Sequence, residues 1–212
     1  MSANNYLFFD GSSLIFQIRH LHNARGVFKG QKLDTNLLVR GFATSPWMRD
    51  VMGDGYRRAV LYFAKGDRQL EQYLTLPDYT KANAVRDIEI RLCGGKIPHS
   101  MKFDEFLKKV PDEFLDRFQK SEKGVDIEIC CDALQLAATG RLDRLFLLTN
   151  DSDFIPLCRK LKELGANVSL LRLSDARPVN SGLVHACDSY DVYPETMLLG
   201  AFGLRPDAET KS

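Results

Sequence analysis

Short apolar runs alternate with longer amphipathic segments along the chain. The apolar runs occupy residues 6–9, 59–63, 145–148 and 168–171, and a less apolar run follows at 190–193. Runs of four or five residues that are apolar on both faces are typical of strands in a parallel sheet covered on both sides. We therefore predict that these runs are strands of one sheet.

The segments between the strands have the 3.6-residue period of helices. Helices are predicted at 14–21, 34–51 (interrupted by Pro46), 124–138, 152–164 and 181–186, and most of 67–91 also has a helical pattern. The stripe that the helix at 124–138 is expected to bury consists of Ile127, Cys130, Cys131, Leu134 and Ala138. Strands that alternate with helices indicate a three-layer α/β/α fold with a mostly parallel central sheet.

One domain is expected over residues 1–194, followed by a C-terminal tail over 195–212. The sequence contains no internal repeat and no low-complexity linker. The stretch at 93–121 has a mixed pattern, because Gly94-Gly95 interrupts it, 96–103 is compatible with a strand, and Pro111 is compatible with the start of a helix.

Composition and charge limit the class of protein. The chain of 212 residues is 44% hydrophobic and 27% charged, which is typical of a globular domain and excludes wholesale disorder. A formal net charge of +1 excludes a histone-like polycation but not a locally basic surface. Five cysteines form no CxxC pair, and the sequence shows neither a signal peptide nor an apolar run of the roughly 18 residues that a membrane span needs. We expect a cytoplasmic protein with reduced cysteines and no membrane association.

Carboxylates follow two of the predicted strands at the point where each strand ends. Asp10 follows the first strand, and Asp151 and Asp153 follow the strand at 145–148. Asp126 begins the preceding helix, and Asp132 lies further along it. Ligands of open parallel sheets bind beyond the carboxyl ends of the strands, so these side chains converge if the two strands are neighbours.

Electrostatics indicates what such a cluster would hold. Two carboxylates about 4 Å apart repel by roughly 4 kcal/mol at an effective dielectric constant of about 20, so a cluster has raised pKa values unless a cation neutralises it. Oxygen ligands without Cys or His favour Mg²⁺ or Mn²⁺ over zinc. Each aspartate taken alone is equally compatible with a helix cap or a turn.

Other features are less specific. Between Lys81 and Lys109, seven basic and four acidic residues are compatible with a surface that follows a phosphate backbone and with an ordinary solvated helix. The four histidines lack metal-ligand spacing, and no glycine pattern matches a P-loop or a dinucleotide motif. Ser12 and Ser13 lack the G-x-S-x-G context of a hydrolase nucleophile.

Four segments resemble the NYN family of PIN-like nucleases: FFDGSS, KGVDIEICCDAL, LLTNDSDFIPLCRKLKELGANVSLL and SGLVHACDSYDVY. They lie within residues 1–20 and 120–193, whereas 25–120 matches only in general layout. The resemblance implies a PIN-like Rossmannoid fold and Mg²⁺- or Mn²⁺-dependent hydrolysis of RNA phosphodiester bonds. The expected kind of ribonuclease is an endonuclease. Residues 93–121 would then be a family-variable insertion.

The resemblance also implies which residues form the site. The catalytic and metal-binding residues would be Asp10, Asp126, Asp151 and Asp153. Supporting residues would be Ser12, Asp132, Thr149 and Asn150, and Lys123 would contact a phosphate. Family members often have the motif DGxN after the first strand, whereas this chain has Asp10-Gly11-Ser12-Ser13, which puts the positioning of the substrate in question.

Two other functions compete with a ribonuclease. A non-catalytic NYN module would keep these residues and bind RNA or a protein without turnover. A phosphatase of the haloacid dehalogenase type needs a second acid two residues after the first, and this chain has Ser12 there, which disfavours it. Apolar residues in the poorly matched middle of the chain are compatible with a homodimer.

Overall fold

Six parallel strands form the central sheet of the structure, a computed structural model that describes residues 3–46, 55–77, 87–94, 124–174 and 179–205. In chain order these strands are β1 (Asn5–Asp10), β3 (Tyr56–Ala64), β5 (Ile88–Cys93), β6 (Arg144–Leu148), β7 (Asn167–Arg172) and β8 (Ser189–Val192). Two short parallel strands, β2 (Leu33–Asp34) and β4 (Leu74–Thr75), form a separate sheet. The predicted α/β fold with a mostly parallel central sheet is confirmed.

Helices cover both faces of the central sheet. One face carries α1 (Gly11–Ala24), α2 (Thr35–Thr44), α3 (Gln69–Tyr73) and α7 (Glu195–Ala201), and the other carries α4 (Val125–Ala138), α5 (Ile155–Glu163) and α6 (Ser181–Ala186). Successive residues of β1 alternate between two apolar cores: Leu7 and Phe9 belong to one, and Phe8 belongs to the other. Both faces of the central strands are therefore buried, which explains their continuous apolar runs.

The order of the strands across the sheet is β5-β3-β1-β6-β7-β8. The chain begins at the centre, moves outward through β3 and β5, and returns to form β6 on the other side of β1. The carboxyl ends of β1 and β6 are therefore neighbours where the direction of winding reverses, and Phe9 pairs with Leu148. In open α/β sheets, this switch point is where ligands bind.

The helical pattern predicted over residues 67–91 is wrong for most of the part that the structure describes. Gln69–Tyr73 is helical, but the chain then forms β4, and Ile88–Cys93 is the edge strand β5. The charged residues Glu89 and Arg91 alternate with apolar residues in β5. An edge strand exposes polar side chains, so it lacks the continuous apolar run by which the central strands were recognised.

Helix α4 has nearly the predicted bounds but buries a different stripe. The stripe that faces the sheet consists of Val125, Ile129, Ala133 and Ala137. Ile127, which was expected to be buried, is 65% exposed, and Cys131 is exposed. Large inner side chains of β1 and β3, Phe8 and Tyr62, already fill this layer, and the two alanines let the helix approach them.

Part of the segment assigned to a C-terminal tail is packed. In and after α7, Leu198, Ala201 and Phe202 are buried. The rings of Phe202 and Phe28 lie 4.5 Å apart between centroids. The apolar core on the α1 side of the sheet therefore extends beyond residue 194.

Several predicted features lie outside the described residues. They include most of 93–121, residues 47–51 of the second predicted helix, most of the basic stretch between Lys81 and Lys109, and Lys123. The five cysteines are all described and carry free thiols. No helix in the described ranges is both long enough and apolar enough to span a bilayer.

Candidate acidic site at the switch point

Asp10 is both the last residue of β1 and the N-cap of α1, and only 3% of its surface is exposed. Its Oδ1 accepts hydrogen bonds from the backbone N–H groups of Ser12 and Ser13, at 3.1 and 3.4 Å. Its Oδ2 accepts from the hydroxyls of Ser13 and Thr149, at 2.5 and 2.8 Å. The amino end of α1 also favours a negative charge at this position.

Two hydroxyls join the end of β1 to the loop that follows β6. The hydroxyl oxygens of Ser13 and Thr149 lie 3.2 Å apart. Ser13 Oγ accepts from the Asn150 N–H at 3.0 Å, and Thr149 Oγ1 accepts from the Asp151 N–H at 3.1 Å. Because both hydroxyls also donate to Asp10, they fix the position of the loop relative to that carboxylate.

Asp151 and Asp153 lie where this loop enters α5. Asp151 is the N-cap of a 3₁₀ turn (Ser152–Phe154), and its Oδ1 accepts from the Asp153 N–H at 2.9 Å. Asp151 is half-buried, whereas Asp153 is exposed. Asp151 thus lies within the site and Asp153 at its solvent-facing margin.

Burial raises the pKa of Asp10 above its ordinary value, because desolvation penalises the charged form. Hydrogen bonds from Ser13 and Thr149 oppose this shift, and the negative charge of Asp151 adds to it. Thr149 links the two residues, because its hydroxyl donates to the Asp10 carboxylate and accepts from the Asp151 N–H. A bound cation would relieve both the desolvation and the repulsion.

The side-chain amide of Asn150 is buried in the same loop. Neither its Oδ1 nor its Nδ2 has a hydrogen-bond partner among the described residues. An unpaired buried polar group costs about 1–3 kcal/mol, so a native site that contains one calls for a ligand or an ordered water. Asn150 is therefore a donor and acceptor available to a ligand of this site.

The other predicted acidic residues have different surroundings. Asp126 is exposed in the first turn of α4. Asp132 accepts a hydrogen bond of 2.6 Å from the Tyr62 hydroxyl and is paired with Arg91. Among the residues that the structure describes, no group of three or more His, Cys, Asp or Glu could hold a metal ion. The structure therefore relates Asp10 to Asp151 but does not assemble the four-aspartate cluster that the resemblance implies.

Ser13, which sequence reasoning did not select, contributes its side-chain hydroxyl to the site. The Ser12 backbone N–H donates to Asp10, and the Ser13 hydroxyl donates to Asp10 and accepts from the Asn150 N–H. Ser13 occupies the position of the asparagine in the DGxN motif. This departure from the motif was the sequence signal that could have identified Ser13 as a residue of the site. Gly11 is also required, because a Cβ there would overlap the Phe63 ring and the Tyr62 carbonyl oxygen.

The donor set of this site fits a hard divalent cation. Magnesium is commonly held by one or two carboxylates, with waters and substrate phosphates as the remaining ligands. Asp10 and Asp151 supply two carboxylates, and the unpartnered Asn150 amide supplies a further oxygen. All of these donors are oxygens, which favours Mg²⁺ or Mn²⁺ over zinc.

A parallel sheet covered on both faces, with acidic residues at its switch point, defines an α/β domain of the Rossmann type. More particularly, the family model described as NYN domain matches residues 96–193. The match confirms, over these residues, the resemblance to the NYN family that the sequence motifs indicate. It includes Asp126, Asp151 and Asp153, whereas Asp10 precedes it.

A protein of unknown function from Vibrio parahaemolyticus has a similar crystal structure. The two chains are 15% identical and superpose with a TM-score of 0.49, over 92% of this chain and 94% of the other. No curated protein matches this chain.

Proposed function

We propose that the protein is a Mg²⁺- or Mn²⁺-dependent ribonuclease whose metal is held by Asp10 and Asp151. One observation carries the proposal: a buried carboxylate with a raised pKa and a second carboxylate follow neighbouring strands at the switch point. Asp10 caps α1 and Asp151 caps the 3₁₀ turn, but these two capping roles do not require the two charges to share one junction of the sheet. A cation does require it, because two negative charges then stabilise the bound ion.

Each residue of the site would have a different role in hydrolysis. Ser13 and Thr149 keep the Asp10 carboxylate oriented, and Asn150 presents its amide to the substrate or to a metal-bound water. Asp153, which solvent reaches, would accept the proton of the attacking water. When bound, the divalent ion supplies Lewis-acid activation of that water and neutralises charge on the phosphate.

A non-catalytic module that binds RNA or a protein is the second candidate. It is favoured by the contacts of Asp10, whose two oxygens accept four hydrogen bonds in total and serve α1 as a cap. It is also favoured by the lack of a three-acid group in the described residues. A carboxylate with these contacts can be retained for stability alone.

Cleavage of labelled RNA distinguishes the two candidates. Structured and unstructured RNAs are incubated with Mg²⁺, Mn²⁺ or EDTA, and the wild type is compared with Asp151→Asn. The matched control is Asp87→Asn, a change of the same kind at an exposed residue just before β5. We expect metal-dependent cleavage by the wild type and the control but not by Asp151→Asn, and the cleaved ends separate endonuclease from exonuclease action. RNA binding without cleavage in either metal would support the non-catalytic module.

A further inference from the structure

A cavity of about 440 Å³ lies between α4 and the strands β1, β3 and β5. Tyr6 near the start of β1, Arg57 and Arg58 near the start of β3, and Arg141 just after α4 line it. These residues lie toward the amino ends of the strands, whereas the acidic site lies at the carboxyl ends. Neither Asp10 nor Asp151 lines the cavity, although Tyr62 of the lining pairs with Asp10 in the sheet. The size of the cavity is within the range of small-molecule sites.

One wall of the cavity is an ordered network of charged side chains. Glu89 accepts hydrogen bonds from Arg58 and Arg91, both at 2.6 Å. Arg91 is also paired with Asp132, which accepts a hydrogen bond from the Tyr62 hydroxyl. Each acidic residue of the lining is thus paired with arginine, and these pairs hold the guanidinium groups in fixed orientations.

The lining has an excess of positive charge. It contains four arginines and only two acidic residues, Glu89 and Asp132. Arg141 is exposed and forms no ion pair with the described residues. Arg57 lines the same cavity and donates to the Asn4 side chain, and the Asn4 carbonyl accepts from the Asp143 N–H. The nearby Asp143 carboxylate accepts from the Asn4 N–H.

The floor of the cavity is aromatic. The rings of Tyr6, Phe8 and Tyr62 form an edge-to-face row, with centroids 6.3 and 5.2 Å apart. Phe8 and Tyr62 are buried, but Tyr6 remains partly exposed beside the arginines. A partly exposed ring next to excess positive charge matches a ligand that combines a planar ring with an anionic group.

We propose that this cavity binds a phosphate-bearing ligand of nucleotide size, with its phosphate between Arg57 and Arg141 and its ring against Tyr6. Arginine is suited to this role because its planar fork binds phosphate oxygens in pairs. The phosphate can belong to a free nucleotide or to the phosphorylated end of an RNA chain, since both present the same chemistry. The site is independent of the proposed ribonuclease activity.

Isothermal titration calorimetry in EDTA tests the proposal without involving the metal site. The wild type is titrated with AMP and with adenosine, and then with a short RNA that carries either a 5′-phosphate or a 5′-hydroxyl. We expect AMP to bind at least tenfold more tightly than adenosine. An RNA with a 5′-phosphate that binds tenfold more tightly than AMP identifies an RNA end as the source, and equal or weaker binding identifies a free nucleotide.

Variants locate the binding. Arg141→Ala is expected to weaken AMP binding at least tenfold, and Arg57→Ala provides a second test at another arginine of the lining. Arg19→Ala, at an exposed arginine of α1 on the opposite face of the sheet, is the matched control and should leave binding unchanged. Asp151→Asn should also leave it unchanged, which separates this site from the acidic one. Undetectable AMP binding at millimolar concentration, or full binding by both the Arg57 and Arg141 variants, would overturn the proposal.

Discussion

Thr149 donates a hydrogen bond of 2.8 Å from its side-chain hydroxyl to the carboxylate of Asp10, across the junction between β6 and β1. Thr149 is completely buried, and its hydroxyl also accepts the Asp151 N–H. One side chain therefore connects the two aspartates of the candidate site. This contact joins residues 139 positions apart in the chain.

We expect Thr149→Val to destabilise the fold by about 1–3 kcal/mol, because the change removes one of the two hydroxyls that donate to the buried Asp10 Oδ2 and leaves the Asp151 N–H without this partner. Thr149→Ser keeps the hydroxyl and should lose only part of this stability. Urea denaturation of both variants and the wild type measures the difference. Equal losses for Val and Ser would show that the hydroxyl contributes nothing.

The raised pKa of Asp10 gives the stability a defined pH dependence in the absence of metal. A group whose pKa is higher in the folded state stabilises the fold below its ordinary pKa, here 3.8, and this contribution is lost as the pH rises through the folded-state pKa. Asp10→Asn removes the buried charge, so its free energy of unfolding relative to the wild type should increase from acidic to neutral pH.

Thermal or urea denaturation in EDTA across this pH range measures the change for Asp10→Asn. Asp87→Asn, at an exposed site, controls for the loss of one charge from the chain. A stability difference between Asp10→Asn and the wild type that stays constant with pH would contradict the raised pKa.

Divalent cations should offset the loss of stability that the buried Asp10 charge causes at neutral pH. A metal that binds only the folded protein stabilises it by about 2.7 kcal/mol at a concentration one hundred times its dissociation constant. We expect Mg²⁺ or Mn²⁺ to raise the melting temperature of the wild type and to have a much smaller effect on Asp151→Asn. An equal rise in both proteins would place the metal elsewhere.

Gly11 separates β1 from α1 at a point where no side chain fits. The added Cβ of Gly11→Ala would collide with the Tyr62 carbonyl oxygen and the Phe63 ring, so we expect destabilisation of about 1–3 kcal/mol or more. Gly200→Ala in α7 is the matched control, since nothing lies within 4 Å of the position of its Cβ and the helical backbone favours alanine. Differential scanning fluorimetry of the two variants should therefore show shifts of opposite sign.

Phe202 tests whether the segment after residue 194 belongs to the folded domain. The ring is buried against Phe28, and removal of a core phenylalanine typically costs about 3–5 kcal/mol. Phe202→Ala should therefore lower the midpoint of urea denaturation strongly, whereas Val27→Ala at an exposed position should not. A wild-type midpoint for Phe202→Ala would mean that the segment is dispensable.

Much of the fold was predictable because its central strands are buried on both faces. The strands at 6–9, 59–63 and 145–148 were recognised from continuous apolar runs, and their helices from the change of period. The edge strand β5 was missed because only part of it is buried and its charged residues bind one another and α4. The stripe of α4 was misplaced because Cys and Ile residues are apolar on more than one face of that helix, and only contact with the sheet selects one face.

The sequence by itself determined that aspartates follow two strand ends, because the end of an apolar run and the polar turn after it are local features. Only the tertiary structure decided that β1 and β6 are neighbours, since strand order depends on how the crossover helices pack. It also assigned Asp132 to Arg91 and Tyr62 and gave Ser13 its place beside Asp10. The contacts of Asp132 with Arg91 and Tyr62 join residues that are distant in the chain. The orientation of the Ser13 hydroxyl depends on its partners in the loop after β6. Neither arrangement can be inferred from the local sequence pattern.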